Sequence, residues 1–305
     1  MISITNEKDA VFGNLVKLSN GIVELKVAVD FGPRVLHFSR VGMENVFYQD
    51  TKKEPLGDIQ EIYGGDIMRL YGGHRIWTSP EVMPSCYYPD NAPVMCTPLN
   101  GGMEFVAPME KINNIQKILT ISLLPDRPVV QVENSITNCG TWGIELAPWC
   151  ITMTDKGGKM VVPQPDRSTR ELPNRNISLW PYSAMNDPRV YWGKDFIMLK
   201  QDPSVNGAFK FGFNNEAGWA AVFNKGQVFF KFFEPILEGI YPDGGCSFEA
   251  YTNSNMLEVE ALGEFVHVPS EESVTLLEEW ELYEESYIPS ENEEELHKVL
   301  ENYIV

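Results

Sequence analysis

Hydrophobic and polar residues alternate with a period of two along most of the chain. The alternation is clearest in residues 22–29, 34–40, 129–138 and 256–262. Successive side chains of a β-strand point to opposite faces, so this pattern predicts strands with at least one buried face. Gly, Pro, Asn and Asp interrupt the runs at spacings of about ten residues, which is typical of a β-sandwich or β-barrel.

Weaker examples of the same alternation predict further strands at residues 103–106, 115–124, 196–200, 208–213, 219–223, 228–233, 248–252 and 274–282. Helical periodicity is visible in two places. Ser290 can cap a terminal helix, with Glu293 completing a capping box, and the apolar residues of that helix then share one face: Leu296, Val299, Leu300, Tyr303 and Ile304. The second place, residues 56–63, predicts either a short helix or an irregular loop.

The chain has no internal repeat and no low-complexity linker that would divide it. Residues 162–176 form a long excursion rich in Pro and Arg, and loops of this length are usually functional or disordered. We therefore predict one large β domain over residues 1–288, with residues 289–305 forming a helical tail packed on it.

Charge limits the possible partners. The 305 residues include 24 Lys and Arg against 43 Asp and Glu, a net charge of −19, and residues 271–305 alone hold twelve Glu and one Lys. A protein this acidic is a poor candidate for binding nucleic acid or an anionic membrane, because like charges repel. No apolar run approaches the roughly 18–20 residues of a membrane span, and the polar, acidic start of the chain does not resemble a signal peptide.

Five cysteines are scattered without the spacing of a zinc ribbon or a redox motif. We expect reduced thiols in a cytoplasmic protein, with a Cys86–Cys96 disulfide as the local alternative. The sequence also lacks the phosphate-binding and metalloprotease motifs. We therefore predict neither a metal nor a cofactor.

One histidine lies in an unusual setting. His74 follows two glycines and is followed closely by Arg75, Trp77 and Glu81. An imidazole beside a guanidinium, an indole and a carboxylate indicates an acid–base centre with a stacking surface. The alternative is a hydrogen-bonded histidine in a turn. The other three histidines, His37, His267 and His297, have ordinary structural explanations as strand or helix residues.

A second candidate centre is a pair of glutamates on one predicted strand. Glu258 and Glu260 point to the same face, roughly 7 Å apart along the strand. Neighbouring carboxylates raise each other's proton affinity, which suits a general base. A solvent-facing strand explains such a pair equally well. Trp149, in an apolar strand, either offers a flat face to a sugar ring or packs in the core.

Several segments together resemble the galactose mutarotase-like superfamily, which includes the aldose 1-epimerases, over about residues 10–285. They are Phe-Gly-Pro-Arg-Val at 31–35, Tyr-Gly-Gly-His-Arg-Ile-Trp at 71–77, Val-Glu-Asn-Ser-Ile-Thr-Asn at 132–138, Leu-Ala-Pro-Trp at 146–149, Leu-Glu-Val-Glu-Ala-Leu-Gly at 257–263, and Pro-Ser-Glu-Glu-Ser-Val at 269–274 before Glu279-Trp280. The resemblance implies an all-β supersandwich of two large antiparallel sheets with a short C-terminal helix and a carbohydrate site on a concave face.

The resemblance also implies a mechanism. In aldose 1-epimerases a glutamate removes the proton of the anomeric hydroxyl and a histidine protonates the ring oxygen, with no cofactor. Glu258 and Glu260 are both similar in position to that glutamate, and the choice between them stays open. The family's histidine is missing from residues 144–152, where Trp149 stands, so His74 is the candidate acid.

Three functions are consistent with these residues: an aldose 1-epimerase-like enzyme that interconverts sugar anomers, a non-catalytic carbohydrate-binding protein, and a lyase or hydrolase with paired carboxylates. The expected ligand is a monosaccharide or an acidic sugar, and neither nucleic acid nor a membrane is an expected partner. The predicted catalytic residues are His74, Glu258 and Glu260, and the predicted sugar-binding residues are Arg34, Arg75, Trp77, Glu81 and Trp149. The loop arginines Arg167, Arg170 and Arg175 either recognise an anionic group or are simply solvated.

Overall fold

Two large antiparallel sheets make up most of the computed structural model, which describes residues 1–56, 62–169 and 172–304. The first sheet contains, in spatial order, β1 (Ser3–Asp9), β2 (Gly13–Ser19), β3 (Val23–Ala28), β4 (Arg34–Arg40), β5 (His74–Ser79), β10 (Ile144–Asp155), β19 (Met256–Leu262), β18 (Phe248–Thr252), β15 (Phe209–Phe213) and β12 (Ile177–Leu179), with β20 (Val266–Val268) paired to the start of β10.

The second sheet packs against the first. It contains, in spatial order, β13 (Val190–Trp192), β14 (Phe196–Lys200), β11 (Lys159–Pro163), β16 (Trp219–Asn224), β17 (Gln227–Phe233), β21 (Ser273–Glu284), β9 (Val129–Asn138), β8 (Ile115–Leu123), β7 (Gly102–Val106) and β6 (Met95–Leu99). The helical segments are a 3-10 turn at Ser85–Tyr87, a single turn at Pro242–Gly245 and a helix at Glu293–Leu300. The predicted all-β architecture with a short C-terminal helix is confirmed.

The apolar residues that alternate along the strands meet between the two sheets. Phe38 of β4 and Phe47, which bridges to Thr154 of β10, pack on Trp280 of β21, with ring centroids 5.9 and 5.5 Å from the indole. Phe229 of β17 contacts the same indole edge-on at 5.9 Å. Each such side chain contributes about 1.5–3 kcal/mol when it leaves water, so this aromatic cluster anchors the two sheets to each other.

The C-terminal helix covers part of the outer face of the second sheet. Leu296 and Leu300 are buried there, and the ring of Tyr303 lies 5.4 Å from that of Phe230. The predicted apolar face of the helix is therefore confirmed. The predicted cap is corrected by two residues: Asn292, not Ser290, accepts the hydrogen bond from the backbone N–H of Glu295.

The clearest alternating runs agree with the structure, and residues 34–40, 129–138 and 256–262 coincide with β4, β9 and β19. The strand β5 was not predicted as one. Its residues are almost all buried, because the second sheet covers one face and loops cover the other, and a strand buried on both faces shows no alternation. The prediction for residues 56–63 falls largely on residues 57–61, which lie outside the described residues.

The described residues include no helix of the length and apolar character that crossing a membrane demands.

Candidate functional site

The charged residues of the central strands meet on the outer face of the first sheet, which is the face turned away from the second sheet. Register places Arg75, Ile151, Glu260 and Glu249 side by side across β5, β10, β19 and β18. Partners in an antiparallel register project to the same face. A second row, two residues along, contains Met153, Glu258, Tyr251 and Lys210. We call Arg75, Lys210, Glu249, Glu258 and Glu260 the charged cluster.

Lys210 is the centre of the charged cluster. Its Nζ lies 2.6 Å from Oε2 of Glu249 and 3.0 Å from Oε2 of Glu260. The indole rings of Trp149 and Trp180 flank the ammonium, each with its centroid 4.6 Å away. Burial opposes the charged form, but Glu260 and Glu249 outweigh it and hold the pKa of Lys210 above its usual range. The ammonium is therefore a permanent cation that fixes two carboxylates.

Glu260 and Glu258 have different environments although they share a face. Oε2 of Glu260 accepts hydrogen bonds from Trp149 Nε1, at 2.8 Å, and from Lys210. Glu258 is 8% exposed, and its carboxyl group has no hydrogen-bond partner among the described residues. Burial, and next the charge of Glu260, raise the pKa of Glu258 to about 8. Near neutral pH, Glu258 is therefore the carboxyl group of this pair that holds a proton.

Glu249 lies on the same face as Glu260 and is completely buried. Burial raises the pKa of Glu249 well above its usual range, although Lys210 opposes the shift. The charged cluster thus sets three carboxyl groups against two cations. Protonation of one of the three carboxyl groups balances that charge.

Arg75 supplies unused hydrogen-bond donors. Its guanidinium stacks on Trp77, with Cζ 3.9 Å from the ring centroid. The side chain is 4% exposed, and neither Nε nor Nη1 has a partner within the described part of the chain. Burial, and next the charge of Arg34, lower the pKa of Arg75 to about 10. Buried donors without partners are costly, so Arg75 is prepared to bind a ligand or ordered water.

The loops that follow β5 and β12 lie beside the charged cluster and contribute aromatic side chains. After β5, Tyr87 packs edge-on against Trp77 at 5.1 Å and donates a hydrogen bond to Glu81. After β12, Trp180 and Tyr182 lie over the end of β15, where the hydroxyl of Ser183 bonds both the N–H and the C=O of Lys210. Tyr182 is half exposed. The outer face is therefore bordered by aromatic rings that suit a sugar.

The structure corrects the expectation that His74 meets the two glutamates. His74 precedes Arg75 on β5 and so points to the opposite face, between the sheets, where it is completely buried. Its Nδ1 lies 2.8 Å from Thr152 Oγ1 and its Nε2 2.9 Å from Asn134 Oδ1. Burial, and next the charge of Lys231, keep the pKa of His74 well below its usual range. His74 is thus a neutral core histidine that no ligand on the outer face can touch.

Arg34 is also placed differently from the expectation that it binds a sugar. It is completely buried, with Nε and Nη2 bonded to Asp90 Oδ2 at 3.0 and 2.8 Å and Nη1 bonded to the carbonyl oxygen of Leu70 at 2.7 Å. The guanidinium therefore holds two loops in place, and its charge acts on the neighbouring Arg75 of the charged cluster.

The two predicted stacking tryptophans do lie beside the charged cluster, 5.3 Å apart. They are nearly buried, and cations occupy their faces: Arg75 lies over Trp77 and Lys210 over Trp149. Their open area for a sugar ring is small, so Trp180 and Tyr182 are better placed to stack on a ligand.

Two of the three loop arginines are engaged with the protein itself. Arg167 forms a bidentate ion pair with Glu216, in which Nε lies 3.1 Å from Oε2 and Nη2 lies 2.9 Å from Oε1. Arg175 donates to the carbonyl oxygen of Pro165. Arg170 lies outside the described residues. Neither Arg167 nor Arg175 is part of the charged cluster.

Sequence reasoning missed Lys210, Glu249, Trp180 and Tyr182. Glu249 had a partial signal, because β18 and β19 follow each other as a hairpin. A turn at residues 253–255 would pair residue 249 with 259, whereas the observed pairing of Thr252 with Leu257 sets residue 249 opposite 260. Lys210 had a weaker one, a lysine between the phenylalanines of a strand. No local pattern indicates the long-range pairing that brings Trp180 and Tyr182 over them.

Within residues 1–56, 62–169 and 172–304, no group of three or more His, Cys, Asp or Glu side chains could hold a metal ion. All five cysteines, each of them described, are unpaired, so a Cys86–Cys96 disulfide is not present.

Solved structures with the same fold are numerous. A protein from Klebsiella pneumoniae that is provisionally named an aldose 1-epimerase superposes with a TM-score of 0.60 at 11% identity, over 93% of this chain and 84% of that one. A galactose mutarotase-like protein from Clostridium acetobutylicum gives 0.56 at 11% identity, over 93% and 99%. One from Lactobacillus casei gives 0.54 at 11%, over 88% and 100%.

No protein-family model and no curated protein sequence matches the chain. The structural similarity extends over nearly the whole length at very low identity. The chain therefore has the galactose mutarotase-like fold that its sequence resembles, and an activity has to be argued from the residues of its own site.

Proposed function

We propose that the charged cluster binds a carbohydrate and that the protein is an aldose 1-epimerase-like enzyme in which Glu258 transfers a proton at the anomeric centre. The observation that carries the proposal is the state of Glu258. It lies on the outer face with 8% of its surface exposed, has no hydrogen-bond partner among the described residues, and has a pKa of about 8. A carboxyl group that titrates near the working pH is suited to proton transfer.

The chemistry requires a proton donor for the ring oxygen and an acceptor for the anomeric hydroxyl proton. Neutral Glu258 is the donor in this proposal. Glu81 is the acceptor, because it is exposed on the loop beside the charged cluster and lies near enough to Glu258 to help raise its pKa. Lys210 and Trp149 hold Glu260 as a fixed negative charge that keeps Glu258 protonated. Arg75 and the aromatic border bind the sugar.

The test is the anomerisation of freshly dissolved pure anomers of D-glucose, D-galactose and other aldoses, followed by proton NMR or polarimetry. We expect acceleration over buffer for at least one sugar. In Glu258→Gln, kcat/KM should fall by about 100-fold or more, because a general acid or base contributes roughly 10²–10⁴ in rate. Binding, measured by tryptophan fluorescence, should persist, since glutamine keeps the shape and polarity of the group.

The matched control is Glu133→Gln, which removes an exposed carboxylate on β9 of the second sheet. It should leave the rate unchanged. A Glu258→Gln variant as fast as the unmodified protein would contradict the proposal.

A second function, sugar binding without catalysis, is favoured by one observation. The four histidines all lie in the described part of the chain, and they contact Ser39, Thr152, Gly143 and Asp195 and not the charged cluster. Saturable binding with no acceleration of anomerisation would support that function. A hydrolase, in contrast, needs two carboxyl groups facing each other across a cleft, whereas Glu258 and Glu260 lie on one strand.

A further inference from the structure

A cavity of about 180 Å³ lies beside the charged cluster, and Arg75 lines it. Residues 88–92 form one wall and residues 107–110 another. The loop 88–92 is held in place because the N–H of Gly32 donates to the carbonyl oxygen of Asp90 at 2.7 Å and Arg34 bonds the carboxylate of Asp90. The cavity has room for several water molecules, each of which occupies about 30 Å³ in the liquid.

Two lining residues leave buried polar atoms unused. Nε and Nη1 of Arg75 have no partner among the described residues, and neither has Oδ1 of Asp90. Lys117 pairs with Glu110 at 2.7 Å, and the amide of Asn91 donates to Asp66. An unsatisfied buried group costs about 1–3 kcal/mol, so these two residues favour a ligand that both accepts and donates hydrogen bonds.

The charge of the lining decides between an anionic and a neutral ligand. Arg75 and Lys117 contribute two positive charges, against the carboxylates of Asp66, Asp90 and Glu110. An anionic group would accept from Arg75 but would offer no donor to the unused oxygen of Asp90, whose charge Arg34 already pairs. A pair of hydroxyl groups meets both needs, because one hydroxyl accepts from the guanidinium while its neighbour donates to the carboxylate.

We propose that this cavity is a second sugar subsite, in which neighbouring hydroxyl groups of a neutral glycosyl unit bind Arg75 and Asp90. The proposal rests on the function proposed above and names its substrate class: a neutral oligosaccharide of at least two units, with one unit at the charged cluster and the next in the cavity. Two additional hydrogen bonds correspond to a gain of roughly tenfold or more in affinity.

The test compares D-glucose, D-galactose, their β-1,4-linked disaccharides cellobiose and lactose, and D-glucuronate, with binding measured by titration calorimetry. We expect cellobiose to bind the unmodified protein at least about tenfold more tightly than D-glucose, or lactose at least about tenfold more tightly than D-galactose. D-glucuronate should bind no more tightly than D-glucose. Ala92→Leu narrows the cavity at an exposed lining residue. It should abolish the advantage of the disaccharide and leave monosaccharide affinity unchanged.

The control is Ala217→Leu, an equally exposed alanine beside the second sheet, which should change neither affinity. If the monosaccharide binds and the disaccharide binds no better, or if Ala92→Leu weakens both equally, the cavity holds only water and the subsite is refuted while the proposed function stands. If glucuronate binds tightest, the neutral substrate class is refuted. If no sugar binds the unmodified protein, both proposals are refuted.

Discussion

The interior of the sandwich contains a buried ion pair whose removal should have a large effect on stability. Lys231 of β17 is completely buried, and its Nζ lies 3.0 Å from Oε1 of Glu278. The same ammonium donates to the carbonyl oxygens of Cys150 and Val259 at 2.8 and 3.1 Å and lies 2.9 Å from Thr152 Oγ1. Trp280 Nε1 donates to the other oxygen of Glu278 at 2.8 Å. The pair thus joins the second sheet to the strands that carry the charged cluster.

The perturbation is Lys231→Met, which keeps the aliphatic length and removes the charge. The variant leaves the carboxyl group of Glu278 buried without its cation. Burial already raises the pKa of Glu278 when Lys231 is beside it. Breaking a buried pair by removing one partner costs about 3–5 kcal/mol, whereas removing both charges is often close to neutral. The expected loss for Lys231→Met is therefore about 3–5 kcal/mol, and adding Glu278→Gln should recover about 2 kcal/mol or more.

The assay is urea unfolding at pH 7, followed by tryptophan fluorescence and circular dichroism. The comparison is valid if the two probes coincide. The matched control is Lys52→Met, because Lys52 forms an exposed ion pair with Glu54 at 3.7 Å and such pairs are worth less than about 1 kcal/mol. The reasoning would be refuted if Lys231→Met cost no more than the control, or if the double variant were no more stable than the single one.

Two further predictions concern the charged cluster and the tail. Because the pKa of Glu258 rises from 4.5 to about 8 on folding, the folded state favours the neutral form, and its stability falls as pH rises through that window. In urea unfolding, the free energy of unfolding of Glu258→Gln should therefore equal that of the unmodified protein at pH 4 and exceed it by about a few kcal/mol at pH 9. An equal difference at both pH values would contradict the raised pKa. Leu296→Ala should cost about 2–5 kcal/mol, because the side chain is completely buried against the second sheet, and sugar affinity should not change; a loss of binding would place the helix at the site.

Strand alternation is a local signal and was sufficient to predict a β-sandwich or β-barrel, whereas the two large antiparallel sheets were implied by the family resemblance. The sequence was less informative about the site, where the deciding fact is which strands are neighbours. Alternation already puts Arg75 and Trp77 on one face of their strand and His74 on the other. Only the pairing of β5 with β10, and of β10 with β19, shows that Glu258 and Glu260 share the face of Arg75. Those pairings join Arg75 to Ile151, 76 positions away, and Ile151 to Glu260, 109 positions away, and no local pattern specifies them.

The same pairing bears on the choice between the two glutamates, which the sequence left open. An indole N–H and an ammonium bind one oxygen of Glu260, and both are locked in place: Lys210 by Glu249 and two indole rings, Trp149 by its packing on Trp77. Glu258 has no such partners among the described residues and lies beside a fixed negative charge, so a proton that enters the pair goes to Glu258. The arrangement therefore supports Glu258 as the group that exchanges protons and Glu260 as the charge that tunes it.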